Sequence, residues 1–177
     1  MSITRRTFLL STFATALLAS TLAGCNKPAP VKSLAPVDIN AQTTCDLDGM
    51  MLADYPGPKA QIIYVNADAP VFFCDTVELF HTLLAPEQVR AITAVYVQDM
   101  GKADWDQPRG NWFDARSGLY VVESKRHGSM GPTIASFAQE ADAKKFVSQW
   151  GGKLLRYTEV SIDMTDLSGG ALHDTQM

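Results

Sequence analysis

Two short apolar runs, a helical pattern and a third apolar run follow one another in the first half of the chain. Residues 61–65 are apolar and β-branched, which predicts a strand, and residues 69–73 form a second run of this kind. Asp75 with Glu78 three residues later is typical of a helix N-terminus, because each side chain can cap the other residue's backbone. A third strand is predicted at residues 91–97.

The same order recurs after a polar loop at residues 101–111. Strands are predicted at residues 119–123, 133–137 and 154–160. Between the last two, apolar residues are spaced as on one face of a helix, at Ala143, Phe146, Val147 and Trp150. Each half is too small to bury a large core alone. The predicted fold class is therefore α+β, with two small duplicated ββαβ units packed together.

The N-terminus has the features of an export signal. Arg5 and Arg6 precede an apolar run at residues 8–22 that is short for a membrane-spanning helix and ends in small residues. The residues around the two arginines resemble a twin-arginine signal. Leu22-Ala23-Gly24-Cys25 resembles a bacterial lipobox, in which Cys25 would carry the lipid. The alternative is a membrane helix with a cysteine at its end by chance.

These patterns divide the chain into five segments. We expect a signal peptide at 1–24, a lipid-anchored tether at 25–44, a first ββαβ half at 45–100, a second at 101–164 and a flexible tail at 165–177. The tether begins with a stretch rich in Pro, Ala, Lys and Ser. In the central loop, Asp104, Asp106 and Asp114 flank Trp105, Trp112 and Phe113, and these residues are interpreted as linker and interface residues. Asn26 follows the lipobox cysteine in place of the aspartate associated with inner-membrane retention, which favours the outer membrane, facing the periplasm.

The net charge and the cysteine count limit the classes of partner and fold that the chain can have. The chain has 15 Lys and Arg against 19 Asp and Glu, a net charge of −4. Loss of the two signal arginines would make it more acidic still. Nucleic-acid binding needs a basic surface, so the acidic balance argues against a nucleic-acid partner. Three cysteines are too few for a disulfide scaffold.

Sulfur and imidazole ligands are concentrated in two places. Cys45, Met50 and Met51 lie within seven residues, and His127 and Met130 share a glycine-rich loop. Thiolate, thioether and imidazole ligands favour Cu(I), whereas carboxylate-rich sites favour Ca²⁺, Mg²⁺ or Mn²⁺. Cys45 and Cys74 could instead form one disulfide in an oxidising compartment, or Cys74 could be a buried core residue.

The front motif and the second loop together resemble the NosL family, accessory lipoproteins of the nitrous oxide reductase gene cluster. The motif consists of Cys45-x-x-x-Gly49-Met50, Tyr55-Pro56-Gly57 and Ala60-Gln61-Ile62; later matches are Met130-Gly131-Pro132, Ala135-Ser136-Phe137 and the lipobox. The family pattern commonly has Cys-x-x-Cys-Gly-Met, and here Asp48 stands in place of the second cysteine. A site using both motif cysteines is therefore absent.

The resemblance implies a periplasmic Cu(I) chaperone for the maturation of nitrous oxide reductase copper centres. It implies a fold of two strand–strand–helix–strand units related to part of organomercurial lyase. It also implies Cys45 and Met130 as copper ligands, with His127 and Met50 as weaker candidates. The implied partners are nitrous oxide reductase and its assembly machinery, with the protein a monomer or a copper-bridged dimer.

Two other functions remain open at this point. One is a thiol-dependent lyase or oxidoreductase that uses Cys45, which the implied fold relationship suggests. The other is a structural lipoprotein with a Cys45–Cys74 disulfide. No nucleophile elbow, phosphate loop or Cys-x-x-Cys motif is present, so we expect no catalytic residue.

Overall fold

A computed structural model of the protein describes residues 35–129 and 131–168. Several predictions fall outside these ranges: the signal peptide and lipobox with Cys25, the first part of the tether, Met130, and residues 169–177 of the tail. Within the described ranges, no helix is both long and apolar enough to cross a membrane.

The first sheet has four antiparallel strands in the order β2-β1-β3-β4. Their bounds are Ala60–Tyr64 for β1, Val71–Phe73 for β2, Ile92–Gln98 for β3 and Trp112–Asp114 for β4. Helix α1, Thr76–Leu84, connects β2 to β3. The interpretation of Trp112 and Phe113 as linker residues is wrong, because both pair with β3 as part of β4. Three residues are too few to show a strand pattern in the sequence.

The second sheet has three antiparallel strands in the order β8-β5-β9. Their bounds are Leu119–Val122 for β5, Ala135–Phe137 for β8 and Lys153–Arg156 for β9, and helix α2, Glu140–Trp150, precedes β9. A separate hairpin of β6, His127–Gly128, and β7, Gly131–Pro132, lies between β5 and β8.

The α+β class is confirmed. In each sheet the first strand along the chain is central and is flanked by the strands that precede and follow the helix. This is the strand–strand–helix–strand order expected from the sequence. The duplication of one unit from the other stays a prediction.

The predicted strand at residues 154–160 is wrong in its second part. Strand β9 ends at Arg156, and Tyr157–Glu159 forms a 3₁₀ turn. The turn places the ring of Tyr157 5.6 Å from that of Phe80 and 6.3 Å from that of Tyr120. Packing of this ring replaces continued strand pairing.

The largest apolar core contains residues of both sheets. It includes Ile62 and Val95 of the first sheet, Phe80 of α1, and Tyr120 and Leu155 of the second sheet. Phe80 and Tyr120 meet edge to face with their ring centres 4.8 Å apart. The other face of the second sheet packs against α2. Val121 belongs to an apolar cluster that includes residues of α2, whereas the residues on either side of it in β5 belong to the large core.

Part of the predicted tether contacts the first sheet. The Gln61 amide, fully buried in β1, accepts from Val37 N at 2.9 Å and donates to Val37 O at 2.8 Å. Asp38 accepts a hydrogen bond from the Trp112 indole at 3.0 Å. These contacts hold the chain directly before Cys45 against the sheet that carries Cys74.

Candidate metal centre

A tight loop at residues 45–50 carries the first candidate ligand. Cys45 N donates to Met50 O at 2.9 Å, and Gly49 N donates to Cys45 O at 3.0 Å. Gly49 has a φ of +76°, a left-handed conformation that favours glycine. Asp46 N donates to Phe72 O at 2.9 Å, which fixes the loop to β2. The loop therefore holds Cys45 at the sheet rather than in solvent.

The start of α1 carries the second thiol. Cys74 follows β2 directly, and Asp75 caps the helix by accepting from Val77 N at 3.0 Å. Glu78 completes the predicted capping box, accepting from Asp75 N at 3.3 Å and from Cys74 N at 3.0 Å. The same capping geometry that starts the helix thus brings a carboxylate to Cys74.

Two free thiols meet at this carboxylate. Sγ of Cys45 and Sγ of Cys74 each lie 3.2 Å from Oε2 of Glu78. Cys74 Sγ also lies 3.9 Å from an Asp48 oxygen. Among the described residues, Cys45, Asp48, Cys74 and Glu78 are the one group whose ligand atoms all lie within 4.8 Å of one another. Three of the four are buried, and Asp48 is exposed.

The surroundings disfavour negative charge on two members of this group, Cys74 and Glu78. Contact with Cys45, burial and the Glu78 carboxylate together raise the pKa of the Cys74 thiol above its ordinary range. Burial raises the pKa of Glu78, and its hydrogen bonds with the two thiols act in the opposite direction. The Cys74 thiol therefore resists ionisation in the metal-free protein, and a bound cation would favour its thiolate form.

A buried ammonium lies behind Cys74. Lys59, with no exposed surface, donates from Nζ to Pro56 O at 2.8 Å, to Cys74 O at 3.0 Å and to Ser129 Oγ at 3.5 Å. Burial lowers the pKa of Lys59 to about 8, against the raising effect of Asp75, Cys74 and Glu78. This side chain connects three loops at the site.

The β6–β7 hairpin contacts the same segment from the second half of the chain. The hydroxyl of Ser129 donates to Cys74 O, and Thr133 Oγ1 donates to Asp75 at 2.6 Å. Gly57 approaches the hairpin so closely that a Cβ on it would lie 2.7 Å from Gly128 Cα. The loop that contains Met130 therefore begins, at Ser129, beside Cys74.

The predicted site residues differ in how close they lie to the thiol group. Cys45 belongs to the thiol group, and the side chain of Met50 packs against the apolar cluster around Cys45 and Cys74. His127 is exposed on β6 and is not part of the close group of the described residues. Met130 lies outside the described residues, so its predicted role stays a prediction.

The sequence pattern favours a core position for Cys74 and indicates no metal role for Asp48 or Glu78. Cys74 is 29 positions from Cys45, and a cysteine at the end of an apolar strand is usually a packing residue. The one available signal was the capping box, since it predicts that Glu78 turns back toward the residues directly before the helix.

Comparison with known proteins agrees with the resemblance seen in the sequence. The NosL family model matches residues 36–165, most of the chain. The chain belongs to the NosL family. The copper-binding lipoprotein NosL of Stutzerimonas stutzeri is 37% identical over 164 residues, covering 89% of this chain and 85% of that protein. The protein of the same name from Achromobacter cycloclastes is 37% identical over 162 residues, covering 89% and 81%.

A solved NosL structure has the same fold. The crystal structure of the copper chaperone NosL from Shewanella denitrificans superposes with a TM-score of 0.68 at 38% identity. It covers 75% of this chain and 98% of that chain. The NosL fold is therefore the frame in which Cys45, Cys74 and the β6–β7 hairpin are brought together here.

Proposed function

We propose that this protein is a lipid-anchored Cu(I) carrier that faces the periplasm. The observation that carries the proposal is the pair of free, buried thiols of Cys45 and Cys74 at one carboxylate. Thiolates are soft ligands and favour Cu(I) over hard cations. The relatives named for copper binding and the solved copper chaperone support the same cargo.

The proposed ligands are Cys45 as the thiolate and Met130 as a thioether from the second half of the chain, with Met50 or His127 as the third. Packing of Met50 against the Cys45 cluster supports Met50. The bond from Ser129 to Cys74 supports Met130, because it places the start of that loop at the site. The exposure of His127 makes it the weaker of the two candidates for the third position.

Copper would enter along the outer side of the 45–50 loop. A cavity of about 460 Å³ is lined there by Thr44, Cys45, Asp46 and Phe72. Cys45 itself is only 4% exposed. Its burial supports a monomeric carrier over a dimer bridged through Cys45, because a bridge would require the thiol to project from the surface.

We propose nitrous oxide reductase and its assembly machinery as the recipients of copper. The anchor would be a lipid on Cys25, in the outer membrane by the residue at position 26. A carrier must release its cargo, and a small set of thiolate and neutral ligands exchanges more readily than a closed four-ligand site. No catalytic residue is proposed. The free state of both thiols favours the carrier over a structural lipoprotein with a Cys45–Cys74 disulfide.

The test is a competitive Cu(I) titration of the full protein, purified from membranes in detergent under anaerobic, reducing conditions. Tight binding of one copper per chain is expected, weakened in Cys45→Ser and in Met130→Ala. Met51→Ala is the matched control, since Met51 is adjacent to Met50 but 42% exposed. Absence of binding, or binding unchanged in Cys45→Ser, would overturn the proposal.

A further inference from the structure

Cys74 has the position of a second thiolate ligand. It has no exposed surface, and its Sγ and that of Cys45 are among ligand atoms that lie within 4.8 Å of one another. Two sulfurs bound to one metal at about 2.3 Å each are at most about 4.6 Å apart. A metal ion between the two thiols therefore requires only a small adjustment of the 45–50 loop.

Resting on the proposed function, we propose that Cu(I) is held by both thiolates, Cys45 and Cys74, and that the buried ammonium of Lys59 is the counter-charge of this complex. Cys74 then supplies the second thiolate in place of the second motif cysteine, whose position Asp48 occupies in this chain. Lys59 acts as a positioning residue: it orients Cys74 through the main chain and offsets the charge that the thiolates bring.

The charge balance gives the reason for Lys59. Each thiol loses its proton when it binds, two S–H bonds are replaced by two Cu–S bonds, and copper remains Cu(I). The complex carries one net negative charge in a buried site, where an uncompensated charge is costly. Lys59 Nζ lies 3.0 Å from the carbonyl oxygen of Cys74. Its positive charge is therefore bonded to the main chain of a residue whose side chain would carry part of the new negative charge.

The hydrogen bonds of Lys59 also connect the three segments that form the site. Its ammonium spans Pro56, Cys74 and Ser129, which belong to the loop before β1, the end of β2 and the β6–β7 hairpin. A side chain of this kind acts as an outer partner of a metal ligand, and loss of such partners typically lowers metal affinity about 10- to 100-fold.

The hydrogen bonds of Glu78 favour a soft metal at this site. Its Oε2 accepts from the backbone N–H groups of Cys74 and Asp75 as well as from the thiols. An oxygen held by these two donors is a poor ligand for a cation. The sulfur atoms are left as the strongest donors, which favours Cu(I) over a cation that prefers carboxylates.

The number of protons released on copper binding distinguishes a site with two thiolate ligands from a site with one, and it can be measured in the unaltered protein. Binding of Cu(I), added as its acetonitrile complex to the full protein near pH 7, should release about two protons per copper. A single thiolate with thioether ligands would release about one. A value of one, with tight binding retained, would overturn the two-thiolate site and leave the carrier function standing.

A double-mutant cycle tests the role of Lys59. Lys59→Met should weaken Cu(I) binding about tenfold or more in the parent. It should weaken binding much less in Cys74→Ala, where the complex with a single thiolate is neutral. Equal effects in the two backgrounds would overturn the counter-charge role. Lys153→Met removes an exposed charge on β9 and is the matched control.

Two further measurements keep the outcomes distinct. Urea unfolding of each metal-free variant reports loss of folding, and X-ray absorption of the loaded protein should show one sulfur ligand fewer in Cys74→Ala than in the parent. Parent-like affinity and sulfur number in Cys74→Ala would overturn this inference alone. Absence of Cu(I) binding by the parent would overturn the proposed function with it.

Discussion

At the scale of single residues, Glu78 shows how one carboxylate serves two purposes. It caps α1 through Asp75 N, and its Oε2 accepts from the thiols of Cys45 and Cys74. A buried carboxylate that accepts several hydrogen bonds is tolerated where an unpaired one would not be. The helix cap and the candidate metal centre thus share one side chain, and a change there affects both.

Glu78 should make the stability of the metal-free protein depend on pH. Burial raises its pKa in the folded state above the value of about 4.3 expected for unfolded chains. The contribution of a raised carboxyl is complete below the unfolded pKa and is lost as pH rises through the folded pKa. The urea midpoint of the parent relative to Glu78→Gln should therefore fall as pH rises from about 4 to 8.

Glu87→Gln is the control for this pH series, because Glu87 is exposed beyond the end of α1. Its urea midpoint should follow that of the parent at every pH. A constant difference between the parent and Glu78→Gln over the whole range would show that Glu78 has the same pKa in the folded and unfolded protein.

The sequence indicates Cys45 as a candidate ligand but could not pair it with Cys74. Cys45 stands in a polar motif beside methionines, where a cysteine has few packing reasons to occur. Cys74 ends an apolar strand, and Lys59 stands in a motif of turn residues, so each has an ordinary local explanation. Their proposed shared role depends on which strand edge the 45–50 loop contacts, which no local pattern encodes.

At the scale of elements, the Tyr55-Pro56-Gly57 turn sets the distance between the first sheet and the β6–β7 hairpin. Gly57 has a φ of +81°, and Gly57 N donates to Trp105 O at 2.7 Å. The Trp105 indole in turn donates to His127 O at 3.0 Å. A side chain on residue 57 would push the hairpin away from this chain of contacts.

Gly57→Ala should therefore destabilise the protein through two separable effects. Left-handed backbone strain costs about 1–2 kcal/mol, and contact with Gly128 adds an overpacking cost of about 1–3 kcal/mol. Gly110→Ala is the matched control, since Gly110 has a φ of +56° and open space around it. Urea unfolding should show the larger loss in Gly57→Ala, and equal losses would exclude the steric effect.

The cap of α1 offers a second prediction at this scale. Asp75→Ala removes the acceptor for Val77 N and for Thr133 Oγ1. Loss of an N-cap costs about 0.5–2 kcal/mol, and the unpaired Thr133 hydroxyl adds to it. Asp75→Asn keeps an acceptor oxygen and should recover most of the stability in thermal unfolding. Similar melting temperatures for the Ala and Asn variants would contradict this role of the cap.

Elements with strong local signals could be predicted, and those set by long-range packing could not. The capping box of Asp75 and Glu78 predicted the start of α1 correctly. Strand β4 and the turn at Tyr157 have no comparable pattern. Strand β4 depends on pairing with β3, and the turn depends on the rings of Phe80 and Tyr120, both distant along the chain.

At the scale of the whole molecule, the candidate site joins three segments that are far apart in the chain. The 45–50 loop, the start of α1 and the β6–β7 hairpin meet around Cys74, with Lys59 between the last two. The large core holds the sheets together beneath them. A metal ion bound here would link the segments, and a ligand that binds only the folded form stabilises it.

Cu(I) loading should therefore slow amide hydrogen exchange in particular segments of the full protein. Protection is expected in the 45–50 loop, at Cys74 and in the β6–β7 hairpin, while α2 on the far face of the second sheet should be unaffected. Met130→Ala should lose the added protection in the hairpin and keep it in the 45–50 loop, because the proposed thioether is the link between hairpin and metal. If copper protects the loop but leaves the parent's hairpin unchanged, the ligands come from the first half alone, and the hairpin serves only to hold Cys74 in place.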